Sequence, residues 1–159
     1  MLAIRPAAPA DITFVIALIR ELAEYEKAPN AVVATEADLL RDGFGSSPRF
    51  HVLLAEWDGE VAGFAFYFFT YSTWRGRPCL YLEDLFVRPA LRGKGIGIAL
   101  MRHLAAEAMA KDCDRFVWQV LDWNEPAIRF YESLGARIER QWLTARMDKT
   151  AIAALASPS

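Results

Sequence analysis

Residues 80–104 read LYLEDLFVRPALRGKGIGIALMRHL, and this stretch contains three segments of different character. Leu80–Val87 is apolar and aromatic, which predicts a strand. Arg92–Gly97 is a glycine-rich turn with two cationic side chains, and the residues from Ile98 onward favour a helix because they are rich in Ala, Leu and Met. The backbone N–H groups of such a turn and the positive end of the helix dipole converge, so the stretch predicts an anion-binding site.

The predicted strand also contains an acidic pair, Glu83 and Asp84, between apolar residues. Adjacent residues of a regular strand face opposite sides of the sheet. Both carboxylates can therefore serve one pocket only if a bulge interrupts the strand, and bulges do occur beside active sites. The alternative is that one of the two merely forms an ion pair with a surface arginine.

The composition is that of a globular protein, with 54% hydrophobic and 24% charged residues in a chain of 159. This length suffices for a substantial core, and we expect a single domain over residues 1–159. The formal net charge of −2 gives no strong positive field that would attract nucleic acid or an anionic membrane. No leader-like segment opens the chain and no apolar run has membrane-spanning length, so we expect a cytoplasmic protein.

Cysteine and histidine are scarce and scattered. The chain has only Cys79, Cys113, His51 and His103, which is too few for a structural zinc site or a disulfide framework. Their spacing also gives no support to a Cys–His nucleophile pair. We expect no metal site, and His103 shares a polar helix face with Glu107, so we expect it to be exposed and inert.

The first half of the chain predicts one strand, two helices and a hairpin of two further strands. Leu2–Arg5 is a short strand candidate, and Asp11 is expected to cap a helix with an apolar stripe at helical spacing. Thr35–Asp38 resembles a capping box that opens a second helix. The apolar runs 51–57 and 60–71 flank Asp58–Gly59, a strong hairpin signal, and the second run should lie in the middle of the sheet.

The second half predicts two further strands and two helices. Arg115–Leu121 is a buried strand candidate, and a helix follows Asn124 and ends at Gly135. A last strand, about Gln141–Met147, precedes an Ala-rich tail helix. The predicted element order is β, α, α, β, β, β, α, β, α, β, which indicates a mixed sheet covered by helices.

The glycine-rich turn does not fit the two commonest nucleotide-binding patterns. A dinucleotide motif starting at Gly93 would place Ile98 at the last glycine position, and one starting at Gly95 would place Leu100 there. A P-loop would need Lys-Ser or Lys-Thr to close the turn, and neither dipeptide is present there.

The pattern that does fit is Arg-x-x-Gly-x-Gly, filled by Arg92, Gly95 and Gly97. It resembles the pyrophosphate-binding pattern of the GCN5-related N-acetyltransferase (GNAT) family. Residues 124–136, NEPAIRFYESLGA, resemble the second signature of this family, NxxAxxFYxxxGA. Within the family, the diamine (spermidine/spermine) and thialysine acetyltransferase branch is the most similar, through Tyr25-Glu26, Asp42–Gly45, Tyr67–Tyr71, Tyr81–Asp84 and Trp123–Pro126.

The resemblance covers roughly residues 4–147 and implies the GNAT fold, which is an α/β (mixed α+β) single domain. Its central sheet is mixed and mostly antiparallel, with six to seven strands flanked by about four helices. The resemblance implies acetyl-CoA as the donor, a primary amine of a small molecule as the acceptor, and a homodimer. The acceptor would be a diamine, a polyamine or an amino acid like lysine or thialysine.

The resemblance also assigns residues to the donor. The turn would bind the pyrophosphate through its backbone N–H groups, and strand residues before it would bind the pantetheine arm. The cofactor-binding residues implied in this way are Leu85, Phe86, Val87, Arg92, Gly93, Lys94, Gly95, Ile96, Gly97, Ile98, Asn124, Pro126, Ala127 and Tyr131.

Catalysis requires the amine to lose a proton, since an alkylammonium has a pKa of about 10.4. The resemblance to the branch implies that Glu83 attracts the amine and relays its proton through water, with Asp84 as the second amine-binding carboxylate. Tyr131 would give a proton to the departing thiolate, although it also lies on an apolar helix stripe and could belong to the core. The remaining substrate-binding residues implied by the resemblance are Tyr25, Glu26, Trp74 and Trp123.

The stretch before Trp142 departs from the polyamine enzymes, where acidic residues are expected. It contains Arg137 and Arg140, so we expect a long polycation such as spermine to be a poor substrate. Two other functions remain open. One is acetylation of a protein or peptide amine, and the other is a non-catalytic acyl-CoA-binding module.

Overall fold

A computed structural model describes residues 1–158, which form five strands and five α helices. In chain order they are β1 Leu2–Pro6, α1 Ile12–Tyr25, α2 Glu36–Gly43, β2 His51–Trp57, β3 Glu60–Ser72, β4 Arg77–Val87, α3 Ile96–Ala110, β5 Arg115–Trp118, α4 Glu125–Ser133 and α5 Lys149–Ala156.

The strands form one mixed sheet in the order β1-β2-β3-β4-β5. All neighbouring pairs are antiparallel except β4 and β5, which are parallel. The mostly antiparallel sheet was predicted, but residues 1–158 contain five strands and not six or seven. The chain divides into two compact units, Met1–Gln119 with the whole sheet and α1–α3, and Val120 onward with α4 and α5.

The predicted hairpin and the central strand are confirmed. Asp58 and Gly59 join β2 to β3 with φ values of 52° and 86°, and two consecutive positive φ angles are what a type I′ turn needs. β3 pairs with β2 on one side and with β4 on the other, so it lies in the middle of the sheet. Its N-terminal half is buried, whereas Thr70 and Tyr71 at its other end are exposed.

The two predicted helix starts have different outcomes. Thr35 caps α2 as expected, because its side chain accepts from the Asp38 N–H while the Asp38 carboxylate accepts from the Thr35 N–H. Asp11 flanks α1 but does not cap it. Its carboxylate accepts instead from the Ala8 N–H and from the Arg5 guanidinium, at 2.7–2.9 Å.

Two predicted boundaries are wrong. α3 begins at Ile96 and not at Ile98, because Gly95 takes a left-handed conformation at φ 79° and so stands directly before the first helical residue. β5 ends at Trp118 and not at Leu121, because its partner strand departs from regular pairing beyond Leu82.

Within the described residues, no strand covers 141–147. These residues are all exposed, and no described strand pairs with them, so no ladder hydrogen bonds stabilise an extended segment there. The tail helix that was predicted to follow is present as α5, and the Asp148 carboxylate caps it by accepting from the Ala151 N–H at 2.8 Å.

The main core lies between the sheet and the helices α1 and α2. Apolar residues at helical spacing on α1 pack against the face of the sheet that carries Phe64 of β3 and Phe86 of β4. Leu100 and Leu104 of α3 are fully buried and cover the opposite face. The face covered by α1 and α2 is the one that carries the candidate site.

Gly63 allows β3 and β4 to approach each other closely beside that site. A Cβ at this position would lie 2.4 Å from the Phe86 carbonyl oxygen. We expect Gly63→Ala to lower the free energy of unfolding by about 2 kcal/mol, since the clash is with backbone and cannot be relieved by a side-chain rotation. Urea denaturation measures this.

Gly45→Ala is the matched control for that substitution. The nearest atom to its Cβ would be the Arg41 carbonyl oxygen at 3.5 Å, which is an ordinary contact. Its free energy of unfolding should stay within about 0.5 kcal/mol of the wild type. Equal stability of the two variants would show that the close approach of β3 and β4 costs nothing.

Candidate active site

A bulge interrupts β4 at the acidic pair. Phe66 of β3 lies opposite Asp84, but the next residue, Tyr67, lies opposite Leu82. Glu83 is therefore an extra residue that has no partner on β3. The condition under which both carboxylates can share one pocket is met.

The bulge places Glu83 and Asp84 on the face covered by α1. Phe66 packs against the core on that face, and a residue directly opposite it in the register shares the face. On the other side of the bulge, Tyr81 lies opposite Phe68 and stacks on it with ring centroids 5.2 Å apart. Glu83 follows Tyr81 by two residues, so it points to the same side.

The surroundings of Asp84 raise its pKa, which suits a residue that accepts a proton. Burial raises the pKa of Asp84, and the negative charges of Glu83 and Glu26 raise it further, to about 7. Glu26 directly follows α1, and partial burial raises its pKa too. Three carboxylates from two distant parts of the sequence therefore converge, and such a cluster attracts a cation.

Tyr81 belongs to this cluster, although it was not among the predicted site residues. Burial raises its pKa, and so do the charges of Glu83 and Asp84. Its position two residues before Glu83 on a strand was the available signal, since residues i and i+2 share a face. Tyr81 and Phe68 give the cluster an aromatic wall, which suits an ammonium ion.

Tyr25 links the end of α1 to the glycine-rich turn. Its ring centroid lies 6.5 Å from that of Phe86, and the Arg92 guanidinium carbon lies 4.5 Å from the Tyr25 centroid. Arg92 Nε also donates to the Val87 carbonyl oxygen at 2.9 Å. The predicted substrate residue Tyr25 thus lies between the carboxylate cluster and the turn, next to Phe86 of the predicted cofactor strand.

On one side of the last residues of β4 the backbone groups have no strand partner, although the Val87 carbonyl oxygen accepts from Arg92 Nε. The Arg88 N–H donates to the Ala62 oxygen, and hydrogen-bonded pairs alternate along an antiparallel ladder. The backbone N–H and C=O groups of Leu85 and Val87 therefore point away from β3. Pairing with β5 ends at Leu82, so no described strand covers them on that side.

The glycine-rich turn has the features of an anion site. Gly93 and Gly95 adopt φ values of 77° and 79°, which L side chains rarely take. No side chain caps the start of α3, and the first N–H groups of a helix have no partner within it. Lys94 lies with its Nζ 5.0 Å from the Trp57 ring, so its charge stays beside the turn. The free backbone edge and this turn fit the pantetheine and pyrophosphate of a coenzyme A donor.

The remaining predicted donor residues lie in the second unit. The Asn124 side chain accepts from the Ala127 N–H at 3.4 Å, so it caps α4, and Pro126 lies in the first turn as expected. Tyr131 is buried, with its ring centroid 5.4 Å from that of Phe130. Gly135 takes the left-handed conformation expected after a helix end, at φ 94°.

The two tryptophans predicted at the acceptor have exposed side chains. Trp74 lies in the loop between β3 and β4 and is 87% exposed. The residues from Arg77 to Asp84 span about 20 Å of strand, so Trp74 is at the far end of β4 from the carboxylates. Trp123 directly precedes Asn124 and is 42% exposed.

Residues 1–158 lack two kinds of feature, a membrane-spanning helix and a metal-binding cluster. None of their helices has both the length and the apolar character that crossing a membrane requires. The same residues contain no group of three or more His, Cys, Asp or Glu side chains that could hold a metal ion.

Comparison with known proteins identifies the class. A sequence profile of the acetyltransferase (GNAT) family matches residues 16–136. The chain belongs to the GCN5-related N-acetyltransferase family and is an acetyl-CoA-dependent amine N-acetyltransferase. The family resemblance and the fold class predicted from the sequence are confirmed.

Two relatives and one solved structure are similar to most of this chain. The chain is 45% identical over 142 residues to the thialysine N-epsilon-acetyltransferase of Sus scrofa, covering 84% of this chain and 83% of the relative. It is 42% identical over 164 residues to the Mus musculus protein of the same name, covering 96% of each. Among solved structures, an integron cassette protein from the mobile metagenome of V. cholerae superimposes with a TM-score of 0.82, at 30% identity, over 99% of this chain and 98% of that one.

Proposed function

We propose that the protein acetylates the primary amine of a small molecule, either a lysine-like amino acid such as thialysine or a short diamine. The observation that carries this proposal is the convergence of Glu26, Glu83 and Asp84 at the bulge of β4, beside Tyr81. Similarity to two thialysine acetyltransferases above 40% identity supports the same acceptor class.

Asp84 is the proposed proton acceptor. A base works best when its pKa is close to the working pH, and the pKa of Asp84 is raised to about 7. Glu83, the residue predicted to relay the proton, is exposed at the bulge and supports Asp84 by raising that pKa. Glu26 and Glu83 then hold the positive charge of the incoming amine.

The donor is proposed to lie along the free edge of β4. Backbone groups of Leu85 and Val87 would bind the pantetheine arm, with Phe86 between them facing the core. The turn from Arg92 to Gly97, together with the first helical residues up to Ile98, would hold the pyrophosphate through N–H groups. Acetyl-CoA supplies the acetyl group when bound, and no metal is needed for this chemistry.

Tyr131 is the proposed donor of a proton to the departing thiolate. A phenol with a pKa of about 10 can protonate a thiolate whose conjugate acid has a pKa of about 8.5 with little cost. Asn124, Pro126 and Ala127 shape the start of the same helix. We also propose Trp123 as an acceptor residue, because the branch resemblance implies it, whereas Trp74 lies too far along β4 from the carboxylates to contact the same amine within one chain.

The resemblance to this branch supports three further proposals. The chain would act as one N-acetyltransferase domain over residues 1–159, as a homodimer, and in the cytoplasm.

A screen of amines tests the proposed acceptor class. Release of free thiol from acetyl-CoA should be fastest with thialysine, lysine or a short diamine. A peptide with a free lysine and a free N-terminus should react at least tenfold more slowly at equal concentration. Faster acetylation of the peptide would refute the small-molecule assignment.

Spermine should be a poorer substrate than a short diamine. Arg137 and Arg140 are exposed in the stretch where acidic residues were expected, and its one carboxylate, Glu139, already pairs with Arg137 at 3.9 Å, so a long polycation would meet net positive charge. We expect kcat/KM for spermine to be about tenfold lower than for butane-1,4-diamine. Arg140→Glu should narrow this gap, and a preference of the wild type for spermine would show the inference to be wrong.

A further inference from the structure

A cavity of about 280 Å³ lies where β1 ends and β2 starts, and none of Glu26, Tyr81, Glu83 and Asp84 lines it. It is formed by the end of α2, the start of β2, the middle of β3 and one face of α3. The lining residues that matter here are Phe44, Phe50, His51, Tyr67, His103 and Glu107. Neither histidine of the chain has a role in the proposed acetyl transfer, and both line this cavity.

Tyr67 is a buried residue whose hydroxyl has no hydrogen-bond partner among the described residues. The residue is only 6% exposed, and its ring contacts His51 and Phe69 at centroid distances of 5.4 and 6.1 Å. No hydrogen bond joins its hydroxyl to the described part of the chain. Since no side-chain N or O atom there is both fully buried and unpartnered, the hydroxyl opens into the cavity that Tyr67 lines. Burial and the charge of Glu107 raise the pKa of Tyr67 to about 12, so the phenol remains a donor.

Glu107 supplies negative charge without a cationic partner. It is half-buried on α3, and among the described residues no lysine, arginine or histidine forms an ion pair with it. It is also the one carboxylate among the described lining residues. The aromatic residues Phe44, Phe50 and Tyr67 line the same cavity as this carboxylate, and a carboxylate and aromatic rings around one cavity suit an ammonium ion.

The cavity is separate from the acceptor site. Phe66 shares the face of Asp84, whereas Tyr67, the next residue of β3, points to the opposite face. The volume corresponds to about nine water molecules at roughly 30 Å³ each, which suits a ligand of about nine non-hydrogen atoms.

We propose that this cavity is a second ligand site for a small organic ammonium ion that also carries a hydrogen-bond acceptor. The ammonium group of the ligand binds the Glu107 carboxylate, and the acceptor atom of the ligand accepts a hydrogen bond from the Tyr67 hydroxyl. His51 and His103 add two imidazoles that can donate or accept hydrogen bonds at the cavity wall. The proposal does not depend on acetyl transfer.

The probe for this site is N-(4-aminobutyl)acetamide, which has one ammonium group, one amide carbonyl and nine non-hydrogen atoms. It is titrated into a Glu83→Gln, Asp84→Asn double variant, so that the acceptor cluster no longer attracts amines. Amide chemical shifts of ¹⁵N-labelled protein report the location. We expect saturable shifts at His51, Tyr67 and Glu107, and at least tenfold weaker binding of N-butylacetamide, which lacks the ammonium group.

Added substitutions then test the two contacts. Glu107→Gln should weaken binding about tenfold or more, because it removes a charged hydrogen-bond partner. Tyr67→Phe should weaken it severalfold, and Glu36→Gln, which removes an exposed carboxylate from α2, should not change it. Glu107 is at a half-exposed helix position, so its variant should fold even if Tyr67→Phe does not. Absence of saturable binding, or undiminished binding after Glu107→Gln, would overturn the proposal.

Discussion

Asp84→Asn is expected to lower kcat/KM for the amine by about 100-fold or more while making the folded protein more stable at pH 8. The loss of rate follows from removing the proposed proton acceptor, since general base catalysis contributes about 10²–10⁴-fold. The gain in stability follows from the raised pKa of the same group. One substitution should thus move activity and stability in opposite directions.

The sign of the stability change comes from proton binding. The pKa of Asp84 is about 7 in the folded protein, against an ordinary value of 3.8. Between these two pH values the folded state binds more protons than the unfolded state, so stability falls as the pH rises through this window. Above pH 7 the folded protein therefore carries the full cost of burying an ionised Asp84 beside the charges of Glu83 and Glu26, and Asp84→Asn removes most of it.

We expect a gain of roughly 1–2 kcal/mol at pH 8 after allowing for solvent screening, and little gain near pH 4. Urea denaturation at the two pH values measures it. Glu36→Gln is the matched control, because it also replaces a carboxylate with an amide of the same shape, at an exposed position on α2. It should leave both kcat/KM and stability unchanged. A destabilised Asp84→Asn variant at pH 8 would contradict the assigned crowding of charges.

Tyr131→Phe is expected to lower kcat by about 100-fold and to leave the affinity for acetyl-CoA nearly unchanged. Removing the hydroxyl removes the proposed proton donor to the thiolate but keeps the ring that packs beside Phe130. Initial rates give kcat, and a binding titration with coenzyme A gives the affinity.

Tyr71→Phe is the control for this substitution, because Tyr71 is 66% exposed on β3 and has no proposed role. It should have wild-type kcat. Tyr131 is buried, so loss of its hydroxyl is also expected to cost about 1 kcal/mol of stability, and the unfolding curve of each variant shows that it is folded under assay conditions. Wild-type turnover in Tyr131→Phe would remove its proposed role as the acid and leave the core interpretation.

Local signals predicted much of the fold. The Asp58–Gly59 turn, the Thr35 capping box and the glycine-rich turn before α3 each depend on residues next to one another, and all three are present. The sequence alone indicated the bulge at Glu83 only as a condition that must hold if Glu83 and Asp84 are to share one pocket. Whether a strand is interrupted depends on its register with β3, which the sequence of β4 alone does not determine.

What the sequence could not supply is the environment of Asp84. Glu26 is 58 positions away in the sequence, so no periodic pattern could bring its charge to Asp84, and only the family resemblance proposed both as substrate residues. The strand predicted at 141–147 failed for a related reason. A strand needs a neighbouring strand to pair with, and no described strand pairs with residues 141–147.

The central claim is that the carboxylate cluster binds the amine as a cation and that Asp84 takes its proton. The most direct test is the pH dependence of kcat/KM, from pH 5.5 to 9, for the wild type and Asp84→Asn with lysine or thialysine as the acceptor. An amine with a pKa of about 10.4 stays almost fully protonated below pH 9. The wild-type profile should therefore rise to a plateau above about pH 7, and Asp84→Asn should lose this inflection together with most of the rate. A wild-type profile that keeps rising through pH 9, or an unchanged inflection in Asp84→Asn, would contradict the claim.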